Sequence, residues 1–523
     1  MGKRYFKLAA GVALVVGMSA SALAQFTGPA PVAWRWQQPL TTSNIPHGAP
    51  VVDGQTVFVA DQQRLFALNL SDGNQIWRYP AGEPLAAEFQ GSPALGNNMV
   101  FALASNRILY AIDEGTGQTK WVYNSPSGFA GSPVYTKDAV FFAQSDGSIM
   151  GVKPSDGTAY YTTPLVINNG LSGQIAIAGS DIICFSNDNK LLAINYATRQ
   201  LDWKIDFTSV PPDPHPIVYD GNIYVAAGGY VVSINALSGQ VNWDYQLGSD
   251  IAYWPAVGPG GVAVVTPDGN AYTFNLQGQP RSGTETSTAS PIPIGSYPQS
   301  APINVGKNLF VFTGASGNEI LINGSKPAPI WNYIIRPIGG VYEDKNKQGG
   351  TSGGPGGPGG GGFGGPGGGG LGGGGLGGGG LGGGGNGQQA KNVTKISYIQ
   401  ATSQPVLAGT TLLQFCRDGS ILAFDPTNGV DLTPPEVTMS FPSPGATVSG
   451  QPPLVLVYKI QDYSSGVDPS SLSITIDGKP ADVKFTPDGV AEIFFSLDGK
   501  NLPLQNGRHT IVVNVSDWMG NSE

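Results

Sequence analysis

The chain has 523 residues, with 27 lysines and arginines against 36 aspartates and glutamates, a net charge of −9. That balance argues against a nucleic-acid backbone or an anionic lipid surface as the main partner. The length exceeds what one small core can organise and suits a large repeat domain with accessories.

The chain opens with Lys3, Arg4 and Lys7, an apolar run from Leu8 to Met18, and a small-residue site, Ala22-Leu23-Ala24. This order is that of a secretory signal, so residues 1–24 are expected to be removed and the mature chain to begin at Gln25. The run is too short for a good membrane span. No other stretch reads as one, and no cysteine follows the cleavage site to carry a lipid. The expected location is periplasmic, or extracellular at the cell surface.

From about residue 50 a pattern returns every forty residues or so. Its opening positions are Pro50, Pro93, Pro133, Ile175, Pro216, Pro255, Pro302 and Pro405, and the first seven are 43, 40, 42, 41, 39 and 47 residues apart. Each copy pairs short apolar strands such as Val57-Phe58-Val59-Ala60 and Leu65-Phe66-Ala67-Leu68 with tight turns such as Asp146-Gly147, Asp268-Gly269 and Asp418-Gly419. Runs of β-branched and aromatic residues bounded by turn residues are strands, and Asp-Gly supplies the positive φ that hairpins need. A period of this length predicts a β-propeller of eight four-stranded blades. The eighth copy stops after Asn428-Gly429-Val430, so Val32-Ala33-Trp34-Arg35-Trp36 is expected to supply its outer strand.

An aromatic residue closes most copies. Trp36, Trp77, Trp121, Tyr161, Trp203, Trp243 and Trp331 are assigned a structural role, packing one blade on the next. The sixth copy, Leu276-Gln277-Gly278-Gln279, keeps the turn and lacks the tryptophan. Cys184 and Cys416 fall in the fourth and eighth copies, opposite in such a ring, and are expected to be buried free thiols.

The Ser-Pro strand, Asp-Gly turn and Gly-x-x-x-Trp set, from about Trp34 to Gly429, resembles pyrroloquinoline-quinone-type propeller repeats. The resemblance implies two branches. One is the quinoprotein dehydrogenases. The other is non-catalytic propellers similar to the outer-membrane assembly factor of the β-barrel machinery. The dehydrogenase branch implies a ceiling of adjacent cysteines over the quinone and a calcium held by carboxylates, and this chain has no adjacent cysteines. His47 and His215 precede the opening strands of copies one and five. Opposed across the ring, they are not assigned to a metal. No catalytic, cofactor-binding or metal-ligating residue is assigned, and no cofactor is expected.

Residues 349–387 contain 29 glycines, with Leu371, Leu376 and Leu381 spaced through the tail of the tract. Such composition builds no core, and the segment is expected to be a disordered insertion between blades seven and eight of a propeller spanning 25–431. Residues 432–523 read as a small β-sandwich with six strands, and Ser516-Asp517-Trp518-Met519-Gly520-Asn521 resembles bacterial immunoglobulin-like modules. Such modules carry one more strand beyond that turn, so either the sequence is truncated there or a neighbour supplies the last strand. Asp462, Asp468 and Asp517 could gather around calcium at one pole, although loop geometry explains them without a ligand.

The function expected is that of a non-catalytic, exported interaction scaffold or cell-surface component. Its partner would be another envelope or surface protein, or a second copy. The alternatives are a quinone- and calcium-dependent oxidoreductase and a cell-wall polysaccharide-binding protein. Loop aromatics that break the repeat are the binding candidates: Phe89, Phe129, Tyr253 and Trp254. Trp254 has a second reading, that it fills the volume left by the tryptophan missing from the sixth copy.

Overall fold

The computed structural model describes residues 25–38, 48–281, 289–326, 328–337, 398–443, 445–486 and 489–523. The expected leader, His47 and the glycine-rich insertion lie outside them. Among the described residues every element is a strand.

Eight four-stranded antiparallel sheets account for residues 32–424, and seven of them are built from consecutive strands. The first is typical: Val51–Asp53, Thr56–Asp61, Arg64–Asn69 and Gln75–Tyr79. Alternation sets the burial. The second and third strands are largely closed on both faces and mostly apolar, while the fourth strands of the second, fourth and fifth sheets show period-two exposure. The eighth sheet joins Val406–Ala408, Thr411–Phe415 and Ser420–Phe424 to Val32–Gln37 from the start of the chain. Seven apolar clusters link the sheets in sequence. The circuit closes where Val311 and Leu412 tie the seventh sheet to the eighth, and Trp34, Val57 and Leu413 tie the eighth to the first. An all-β propeller of this kind leaves few strand edges open, which limits unwanted pairing.

The repeating aromatic is a docking device. Trp77, Trp121, Trp203 and Trp243 donate their indole N–H to a carbonyl in the next sheet's turn, at Glu114, Pro154, Ala236 and Leu276, over 2.8–3.0 Å. Beneath each ring lies a turn glycine with φ between +69° and +79°. A Cβ there would come within 2.5–2.7 Å of the indole. Glycine is therefore required twice, for the backbone conformation and for the ring. Trp34 makes the same contact, donating to Leu70 over Gly73 and standing opposite Ala423, as Trp77 stands opposite Ala67. Trp34 thus makes the docking bond, and Trp36 also packs the eighth sheet on the first, edge-on against Phe66. Tyr161 fills the position in the third sheet through its hydroxyl on Tyr196 O, with Arg199 at φ +62° in place of glycine and its guanidinium 5.0 Å from the ring.

In the sixth sheet the missing indole is replaced locally. Thr273 Oγ1 donates to Gly324 O in the seventh sheet's turn at 2.9 Å. Trp331, fully buried, donates not to the eighth sheet but to Ser465 O, at 3.1 Å.

That contact brings in the C-terminal residues. A sheet of Glu436–Phe441, Leu454–Gln461, Lys484–Phe485 and Val490–Phe495 faces one of Val467–Ile476, Lys479–Pro480 and Ile511–Asp517, around Leu456, Ile460, Ile474, Ile493 and Val515. An irregularity lets Val467–Ile476 follow Ile511–Asp517 past Asp468. After Asn521 the chain turns back, and Glu523 exchanges backbone hydrogen bonds with Val515. The sandwich is seated on the ring. Val32 N donates to Ser464 O at 2.9 Å, and Tyr333 hydroxyl donates to Tyr463 O at 2.9 Å. Both cysteines are free and buried, and burial pushes the Cys184 thiol up to about 12.

Candidate functional site

The first strands of the first to seventh sheets touch one another in succession. The residue just before each of them, or before its opening proline, therefore occupies a ring of equivalent places: Ala49, Ser92, Ser132, Gln174, His215, Trp254, Ala301 and Gln404. Half of this ring is tightly knit. Ala49 N donates to Ser92 Oγ, Ser92 N to Ser132 Oγ, Ser132 N to Gln174 Oε1 and Gln174 N to Pro214 O, all within 2.8–3.0 Å. Such close approach requires glycine one place earlier. A Cβ on Gly48 would lie 2.1 Å from Gly91 O, and one on Gly173 2.0 Å from Pro214 O. The small residues of the repeat thus satisfy backbone donors near the axis.

The relay ends at Pro214, and three of the remaining four places, His215, Trp254 and Gln404, carry large side chains. His215 and Trp254 meet at 5.1 Å with rings inclined by 64°, and Trp254 Nε1 donates to Gln404 Oε1 at 3.1 Å, reaching from the sixth sheet to the eighth. Tyr253 is fixed by its hydroxyl on Gln299 O at 2.9 Å. These groups line an axial cavity of about 1240 Å³ to which all eight sheets contribute. Burial holds His215 down at about 4, so the imidazole is neutral near pH 7. The surrounding walls push the Asp213 carboxyl up, opposed by a hydrogen bond from Gln174.

Of the four binding candidates, Phe129, Tyr253 and Trp254 line this cavity. Phe89 does not. It packs against Tyr110 at 5.9 Å between the first two sheets, and its neighbour Gln90 reaches the cavity instead. The reading of Trp254 as a filler for the sixth sheet is corrected, since Thr273 bridges that gap and Trp254 stands at the axis. Gln174 and Gln404 were missed. Aligning the eight residues ahead of the opening strands would have singled them out as departures from Ala or Ser.

Three carboxylates meet elsewhere. Ligand atoms of Asp431, Asp462 and Asp517 lie within 4.8 Å of one another beneath the sandwich. Asp468, grouped with two of them on sequence, caps Ser470 instead. Asp462 Oδ1 already accepts three backbone N–H groups, from Ser464, Ser465 and Gly466, and Asp517 Oδ1 accepts two. Their primary arrangement is that of turn caps.

The family described as outer membrane protein assembly factor BamB, a PQQ-repeat family, matches residues 32–219 and 188–337. The assembly factor BamB of Yersinia pestis is 25% identical over 226 residues, covering 39% of this chain and 57% of that protein. Its counterpart in Xanthomonas campestris is 29% identical over 147 residues, or 26% and 36%. A tetrathionate hydrolase of Acidithiobacillus ferrooxidans is 20% identical over 244 residues, or 39% and 48%. The chain therefore spans about half the length, or less, of these relatives. The crystal structure of BamB from Moraxella catarrhalis superposes with a TM-score of 0.49 at 12% identity, covering 76% of this chain and 99% of that one. With matched segments that together extend from residue 32 to residue 337, this chain belongs to the PQQ-repeat propeller family described as outer membrane protein assembly factor BamB.

Proposed function

We propose that the protein is a non-catalytic, exported scaffold of the cell envelope that holds a protein partner at the axial face of its propeller. The observation that carries this reading is the asymmetry of the axial ring. Five of its places are small or bonded into a backbone relay, whereas His215, Trp254 and Gln404 converge on an open cavity. In a pseudo-symmetric fold, departures from the repeat cost packing and are retained where they serve a ligand. Membership of a family described as an assembly factor supports the same reading. Under this proposal residues 25–431 form the propeller, 432–523 an immunoglobulin-like module, and the mature chain begins at Gln25.

The test is co-purification from the native envelope with wild-type protein, Trp254→Ala and Trp254→Ala/Gln404→Ala. Wild type is expected to return a stoichiometric protein partner, and both variants to lose it with an unchanged melting curve. Retention of the partner by the double variant would overturn the axial assignment. The likeness to tetrathionate hydrolase gives the enzymatic reading its own assay. Turnover of tetrathionate, or alcohol oxidation with added quinone and calcium, by the purified protein would replace the scaffold reading.

A further inference from the structure

The cavity has a charge pattern that its shape does not require. Among its described lining residues there is no lysine and no arginine, while Asp213 and Asp250 both stand on it. His215 adds no positive charge, because burial keeps the imidazole neutral. Asp213 is an exposed carboxylate on this wall, open to a bound cation.

The aromatic part is preorganised. The Trp254 indole is held at its N–H by Gln404 and edge-on by His215, and Tyr253 beside it is tied to Gln299. Orienting these rings again on binding costs little entropy. The Gln174 amide oxygen accepts from Ser132 N at 3.0 Å, which fixes that side chain on the cavity wall. A fixed indole face with a carboxylate in the same cavity, and no competing cation among the described lining residues, suits a planar cation. Guanidinium stacks on an aromatic ring while it donates to a carboxylate. The volume, about 1240 Å³, exceeds the roughly 300–1,000 Å³ of small-molecule pockets, which leaves room for a length of backbone around the charged group.

We infer that the axial cavity receives an extended segment of a partner protein through an arginine side chain, stacked on Trp254 and paired with Asp213. This rests on the scaffold reading above and names the chemistry of the partner's contact.

The probe is a fluorescently labelled pentapeptide, acetyl-Gly-Ser-Arg-Ser-Gly-amide, with lysine, glutamine and glutamate versions at the central place. Binding to the full-chain protein is read by anisotropy at about 50 mM and about 200 mM salt. The arginine peptide is expected to bind about tenfold more tightly than the glutamine one, with lysine between them and glutamate weakest. Asp213→Asn and Trp254→Leu should each remove most of that preference while leaving the glutamine peptide unchanged. Asp156→Asn, in a turn at the opposite end of the third sheet, should change nothing. Circular dichroism melts show whether Trp254→Leu folds, and Asp213→Asn, which buries no new group, keeps the test open if it does not.

Equal binding of the arginine and glutamine peptides overturns the inference. So does an arginine preference that survives Asp213→Asn, and so does the absence of binding by any peptide. The co-purification separates the two levels. A partner that is lost with Trp254→Ala, combined with no arginine preference, removes this inference and leaves the scaffold. An arginine preference with no partner in the envelope removes the scaffold and leaves a cation site.

Discussion

Asp61 is 2% exposed, and its Oδ2 has no hydrogen-bond partner. Burial pushes its carboxyl up to about 7, with Gln62 opposing the shift and the charge of Asp418 adding to it. The folded state therefore holds the proton more tightly than the unfolded chain. The associated stability is fully present below the ordinary carboxylate range near 3.8 and is lost as pH rises towards about 7. Denaturant unfolding at about pH 4 and about pH 8 should show wild type losing up to roughly 4 kcal/mol more than Asp61→Asn. Glu319, with no exposed surface and both oxygens unpartnered, shifts in the same direction, so Glu319→Gln should flatten the profile further. The docking tryptophans give a second test at this scale. Trp77→Phe keeps one aromatic ring but loses the second ring's packing and the bond to Glu114 O, and should cost about 1–3 kcal/mol in the free energy of urea unfolding. Gly117→Ala should cost more, because it meets both the ring and a φ of +70°. These contacts were nearly legible from the Gly-x-x-x-Trp spacing. Trp36 packs the eighth sheet on the first, but Trp34, two places away on the same strand face, makes the docking bond. Only the pairing with Ser420–Phe424 decides which of them meets Gly73. The meeting of Trp254 with Gln404, 150 residues later, had no local signal at all.

Strand Val32–Gln37 is the element on which closure depends. It covers the edge of Ser420–Phe424, buries Trp34 against the first sheet and places Arg35 3.1 Å from Asp418. Deleting residues 32–37 should cost at least the 3–5 kcal/mol of a buried aromatic, in the range of Trp→Ala losses, and should lower the cooperativity of urea unfolding. The same element was readable in the sequence, since a Trp-bearing apolar stretch ahead of copy one matches an eighth copy that lacks its last strand. The long connection between the seventh and eighth sheets behaves in the opposite way. Ile399 N donates to Ile335 O at 2.9 Å, so the described stems of that connection already meet. Replacing residues 349–387 with a short Gly-Ser link should leave the melting temperature unchanged by calorimetry, because loop closure depends only weakly on length. A fall of many degrees would mean that the segment contributes core. Strand ends in the sandwich were harder to read, since the extension of Val467–Ile476 past Asp468 depends on its partner strand and not on local alternation.

At the scale of the whole molecule the sandwich and the ring share hydrogen bonds that neither could satisfy alone. Trp331 and Tyr333 on the seventh sheet, and Val32 at the start of the closing strand, all donate to residues 463–465. Removing residues 432–523 should therefore lower the melting temperature of the remaining ring, and the intact chain should melt in one calorimetric transition, not two. The eight-fold repeat and the second β unit were visible in the sequence. Their attachment was not, because a tryptophan that docks on a neighbouring sheet looks the same in sequence as one that docks on another unit. The bond from Val32 to Ser464 also bears on time. A closed ring comes apart at its joint, and here the joint is pinned by a unit folded from residues made after the ring. A chain released before those residues emerge has a ring that can reopen. Once the pin is in place, the lifetime of the closed form is set by how often the sandwich lets go, so a later part of the chain decides how long an earlier part stays shut.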